Sequence, residues 1–141
     1  MTDHPLAPVF AGRTPAGVLS WPADLPAERA LEAARDAGWE AADLDLTDVS
    51  DRAGLMTACA TVMRFPDYFG ANWDALADCL GDLGGWPASR GRLLLVRNWQ
   101  EYAAARPEEW NTLQEIFADA AASWRETDTG LAVVMVLAAA P

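Results

Sequence analysis

Two runs constrain the fold most: Leu93-Leu94-Leu95-Val96 and residues 131–137 are each apolar without a break. A strand apolar throughout is expected inside a parallel sheet, where both of its faces are covered. Residues 39–46 read differently. Ala42, Leu44 and Leu46 alternate with Asp43 and Asp45, the period of two that marks a strand. Residues 17–21 form a short apolar run and a further candidate strand.

Helical patterns fill the intervals. Residues 26–37 begin at a proline suited to a first turn and stop at Gly38, a good residue just past a helix end. Asp24 is the candidate cap. Residues 51–63 place Leu55, Cys59, Val62 and Met63 on one face, with Ser50 as cap. Gly54 inside that helix costs up to about 1 kcal/mol relative to Ala. Residues 84–91, GGWPASRG, are a loop by composition. A short helix is expected over 99–105. A longer one starts at Pro107, with Glu108 and Glu109 at the end that favours acids. Its core face is Trp110, Leu113, Phe117, Ala120, Ala121 and Trp124; Glu115, Asp119 and Glu126 lie opposite.

The order β-α-β-α-α-β-α-α-β predicts an α/β fold, a small parallel β-sheet packed with helices. Residues 1–16, rich in Pro and small side chains, read as a flexible N-terminal arm. Residues 17–141 read as a single domain that opens with a β-α-β unit and is long enough to bury a real core.

Residues 65–83, FPDYFGANWDALADCLGDL, say most about function. Pro66 and Gly70 punctuate a turn. Asn72 is a good N-cap, and Asp74 sits in the first helical turn, where its charge complements the dipole. Trp73, Leu76, Ala77, Leu80 and Leu83 have the spacing of a core face. Asp74, Asp78 and Asp82 follow at i, i+4 and i+8 beside it, and such pairs repel by a few tenths of a kcal/mol each. No base lies between Arg64 and Arg90 to relieve them. The stripe is either a solvated acidic face or a surface held ready for a basic partner.

Overall charge bounds the partners that either face could meet. Twenty-one acids against ten bases, all Arg, give a net charge of −11. That field repels nucleic acid and anionic membranes and attracts basic proteins or cations. Cys59 and Cys79 fit no metal spacing and no disulfide framework, and read as small thiols on or beside apolar faces. The only histidine is His4, so no Ser-His-Asp or Cys-His arrangement can be built. No phosphate-cradling glycine loop is present. Carboxylates at Asp74, Asp78 and Asp119 suit Mg²⁺ chemically, but i, i+4 spacing is common. The expectation is a non-enzyme without cofactor or metal. With no basic N-terminal region and no apolar run near membrane-spanning length, a cytoplasmic location follows.

The run Tyr68-Phe69-Gly70-Ala71-Asn72-Trp73-Asp74-Ala75-Leu76-Ala77-Asp78-Cys79-Leu80 resembles the signature of the barstar family, intracellular protein inhibitors of barnase-type ribonucleases. The family pattern is an aromatic pair, Gly, any residue, Asn, any residue, Asp-Ala-Leu, any residue, Asp, any residue, Leu. Every specified position is met. The likeness extends more loosely over residues 43–137 and not over the first forty. Residues 17–40 therefore read as an N-terminal extension and 41–141 as the family core.

The resemblance implies a barstar-like inhibitor, an immunity protein of the toxin–antitoxin kind. It would be monomeric when free and bind a basic barnase-like ribonuclease 1:1, blocking the active site. Asp78 matches the family's principal aspartate, which enters the nuclease's phosphate site, and Asp74 the acid one turn earlier. Tyr68 matches the tyrosine that packs on the catalytic histidine. Gly70 and Asn72 shape and flank the binding loop, and Asp119 aligns with an acid that touches the enzyme at the edge. Ala77 and Gly81 stand where the best-known member carries Trp and Thr. Trp86, in the loop after the acidic helix, is a further candidate contact. The alternative is an acidic interaction module for a toxin or regulator that is not a ribonuclease.

Overall fold

The computed structural model describes residues 6–66 and 69–137. At its centre is a four-stranded sheet of β1 (Val18–Trp21), β2 (Glu40–Asp45), β3 (Gly91–Arg97) and β4 (Gly130–Val136), ordered β1-β4-β3-β2. All pairings are parallel, with Val18 opposite Val133, Leu94 opposite Val133, and Leu44 opposite Val96. The unbroken apolar runs are the two inner strands, and Leu93–Val96 and Leu131–Val134 are fully buried. The alternating strand, β2, lies at an edge, where its acids reach water.

Successive side chains of a strand point to opposite faces, so each inner strand serves two cores. On one face Leu93, Leu95, Ala132 and Val134 pack against α2 (Glu28–Asp36), with Trp21, Trp39 and the short α1 (Ala7–Phe10). On the other, Leu94, Val96, Leu131 and Val133 pack beneath α3 (Arg52–Met63), α4 (Trp73–Asp82), α5 (Gln100–Ala105) and α6 (Pro107–Trp124). The α/β fold, a parallel sheet packed with helices, is as the residue order predicts.

Several local expectations need correction. Residues before 17 already belong to the packed structure: Leu6 is fully buried and Val9 is 5 % exposed. Phe10 packs edge-on against Trp39 at 5.1 Å, so the segment covers an indole that the sheet would otherwise leave open. β1 and β2 are not neighbours. They take opposite edges because the wholly apolar β3 and β4 claim the middle, and α2 connects them while packing on β2 and β3. Asp51, not Ser50, caps α3, accepting from the Gly54 N–H at 2.8 Å. A Cβ at position 54 would lie 3.1 Å from that carboxylate, so the glycine leaves the cap room. Asp24 does not cap α2, which starts at Glu28 after Ala27 without a side-chain cap bond. No helix among the described residues is long and apolar enough to cross a membrane.

Candidate functional site

The site is built where α3 ends and α4 begins. α3 terminates at Arg64 in the left-handed conformation, a common way to close a helix. Phe65 and Phe69 then pack together at 5.0 Å, and the Phe69 N–H donates to the Pro66 carbonyl, closing the turn. Tyr68 lies outside the described residues. The unusual backbone of the loop falls on Ala71, with φ of 53°, not on Gly70. A Cβ at Gly70 would meet Asn72 at 3.4 Å and Ala75 at 3.6 Å, so close approach to the helix start is what the glycine eases. Asn72 is the N-cap: its side-chain oxygen accepts from the Ala75 N–H at 2.8 Å.

Leu76 and Leu80 are fully buried, and Leu83 is nearly so. Trp73 is half-buried. Ala77, expected on the core face, is exposed, while Cys79 is half-buried. At about 100° per residue, Ala77 stands a full step away from Leu76, whereas Cys79 returns to within about 60° of it. The buried face is therefore narrower than the apolar pattern and is turned toward Cys79.

Asp74, Asp78 and Asp82 are all exposed on the outer side of α4. Among the described residues none of them takes part in a salt bridge. Arg97 pairs with Asp43 and Glu28 instead, and Arg106 with Glu109. Asp74 complements the helix dipole from the first turn, but Asp82 opposes it in the last, where no base is present. A depression of about 260 Å³ opens on this face, lined by Phe69, Gly70, Ala75, Asp78, Cys79 and Asp82. Partial burial, then the charges of Asp78 and Asp82, push the Cys79 thiol pKa up, which disfavours its thiolate.

Asp119 is exposed on α6, the helix that packs directly on α4. At the end of α6 the Trp124 indole donates to the Leu80 carbonyl of α4 at 2.7 Å. Asp119 and the α4 acids thus stand on two helices that pack side by side. Trp86 does not join them at the surface. It is 1 % exposed and part of the core. The loop returns so closely that a Cβ on Gly85 would sit 2.2 Å from the Arg64 carbonyl oxygen, and the next residue's indole lies in the core. Reading residues by role missed Phe69 and Asp82 as linings of the depression. For Asp82 the signal was already there, at the i+8 position of the stripe.

Among the described residues no group of three or more His, Cys, Asp or Glu side chains is placed to hold a metal ion. What this face offers is hydrogen-bond acceptors and negative charge on a capped helix. In comparison with known proteins, residues 39–136 match the family model described as Barstar (barnase inhibitor). No curated protein matches the chain at a significant level.

Proposed function

This chain belongs to the barstar family, and on that premise we propose that it binds a barnase-type ribonuclease and blocks its active site with the outer face of α4. One observation carries the reading. A helix capped by its own Asn72 holds Asp74, Asp78 and Asp82 outward, and among the described residues none of the three is in a salt bridge. Such repulsion is tolerable in the free protein and is relieved on meeting a basic partner.

Ribonucleases of this type bind RNA phosphates with clustered Arg, Lys and His. Carboxylates standing where phosphates would lie satisfy the same donors, and an arginine grips a carboxylate with two parallel bonds. A rigid helix lowers the cost of ordering side chains on binding. Asp78, at mid-helix and beside the depression, takes the central phosphate position. Asp74 and Tyr68 flank it, Gly70 and Asn72 shape the approach, and Asp119 meets the enzyme at the rim. The complex is 1:1 and involves no chemistry by this chain, which acts in the cytoplasm as an antitoxin to its nuclease.

The experiment is titration into a barnase-type ribonuclease while RNA cleavage is followed, with Asp78→Ala alongside. Activity should fall stoichiometrically with the wild type. The mutant should lose about 2–5 kcal/mol of affinity, the range known for truncating one member of a buried charge pair, to which barnase–barstar pairs themselves belong. Asp74→Ala and Tyr68→Ala should follow, and Asp119→Ala should matter least. Equal small effects at all four positions would remove the assigned face. No inhibition at micromolar concentration would assign α4 to a basic partner that is not a ribonuclease.

A further inference from the structure

Behind α4 lies a buried cation that the binding face does not use. Arg92, on β3, is 5 % exposed. Its Nε donates to the Trp86 carbonyl at 2.7 Å. Its guanidinium lies 4.6 Å from the centroid of the Trp124 ring. Its Nη1 is buried with no hydrogen-bond partner among the described residues. Burial disfavours the charge, which Glu40 helps to hold. A guanidinium kept dry with one nitrogen unpaired is costly, so its hydrogen bond and its ring contact mark where it acts.

What it holds is visible in the next contact. Trp124 donates its indole N–H to the Leu80 carbonyl, and the last carbonyls of a helix have no partner within it. α4 has no basic residue in its last turn to serve them. The indole does so instead, under the arginine that stacks on it. Arg92 also holds the Trp86 carbonyl, and so the loop that leaves α4. One chain of contacts therefore runs from the rigid sheet, through Arg92 and Trp124, to the turn carrying Leu80 and Asp82.

We propose that Arg92 and Trp124 are positioning residues for the acidic face: they lock the C-terminal half of α4, with Asp78 and Asp82, to the sheet and to α6, which carries Asp119. The proposal rests on the reading of α4 as the binding face. It explains how a helix bearing three mutually repelling carboxylates keeps a fixed geometry without an ion pair of its own among the described residues.

The test uses the full chain with Arg92→Met and Trp124→Phe. The first removes the cation and its hydrogen bond. The second keeps a ring beneath the guanidinium but deletes the donor to Leu80, and it carries the test if the first fails to fold. In the free protein, amide hydrogen exchange over residues 80–84 should speed up about tenfold relative to α3, as expected for losing one or two net hydrogen bonds. Unchanged exchange, or a uniform rise in every element, would overturn the proposal. With a barnase-type ribonuclease, dissociation should quicken about tenfold while association is unchanged, because the carboxylates that steer encounter remain. Combined with Asp78→Ala, the losses should be less than additive; simple addition would reduce Arg92 and Trp124 to core filling. If the wild type binds no such nuclease, the proposed function fails, yet the exchange measurement still decides whether the brace exists.

Discussion

A single amide oxygen at Asn72 sets where α4 begins, and one carboxylate, Asp45, shows how far local hydrogen bonding can bias a charge. The Asn98 side chain donates to Asp45 at 2.8 Å, and the Thr47 hydroxyl and N–H donate to the same oxygen. These bonds lower its pKa from 3.8 to about 2. A carboxylate more acidic in the folded state stabilises the fold above its unfolded pKa, and that contribution disappears as pH falls through the folded value. Acid titration followed by circular dichroism should show this loss between about pH 4 and pH 2. Asp45→Asn should lower stability at neutral pH, where the charged form contributes in full, and flatten the profile in that window; an unaltered profile would mean that the bonds do not bias the charge. Residue identities announced the α4 cap, since Asn before a polar-apolar run is a strong signal. They did not announce the Asp45 cluster, whose partner Asn98 is far away in sequence.

At the scale of elements, α4 trades stability for charge. Asp82 sits in a last turn without a base and one turn from Asp78, both unfavourable placements. Asp82→Asn should therefore raise stability by a few tenths of a kcal/mol in urea denaturation, while weakening any basic partner that uses this face. A loss of stability would reveal a favourable contact for Asp82 in the folded chain. Amphipathic spacing located the helix and its buried leucines correctly. It erred at Ala77 because apolar spacing marks every residue able to be buried, whereas the face actually covered depends on where α6 lies. Trp86 is the converse case. A Gly-Gly-Trp-Pro sequence reads as an exposed loop, and only the tertiary structure, which brings Gly85 against the Arg64 carbonyl, shows its indole packed in the core.

For the whole molecule, the net charge of −11 acts over distances longer than any one contact. Encounter with a basic nuclease should be fast at low salt and slow markedly as ionic strength rises, because screening shortens the reach of the field to about 8–10 Å near physiological salt. Stopped-flow association rates between about 0.01 and 1 M salt, where the screening length falls roughly tenfold, measure this. A flat rate would mean that charge does not guide the encounter.

Sequence alone determined the parallel α/β class, the interior place of the two unbroken apolar strands, the capped acidic helix and the family signature across it. All of these rest on local rules: side-chain periodicity, capping chemistry and the covering that a wholly apolar strand demands. Only the tertiary structure decided that β1 and β2 take opposite edges, that residues 6–16 cover Trp39, that Trp86 is core, and that Arg92 and Trp124 meet behind α4. Each of these depends on which distant segment fills a given space. Spacing along the chain specifies the faces that an element has to bury, and close packing among all the elements chooses what buries them.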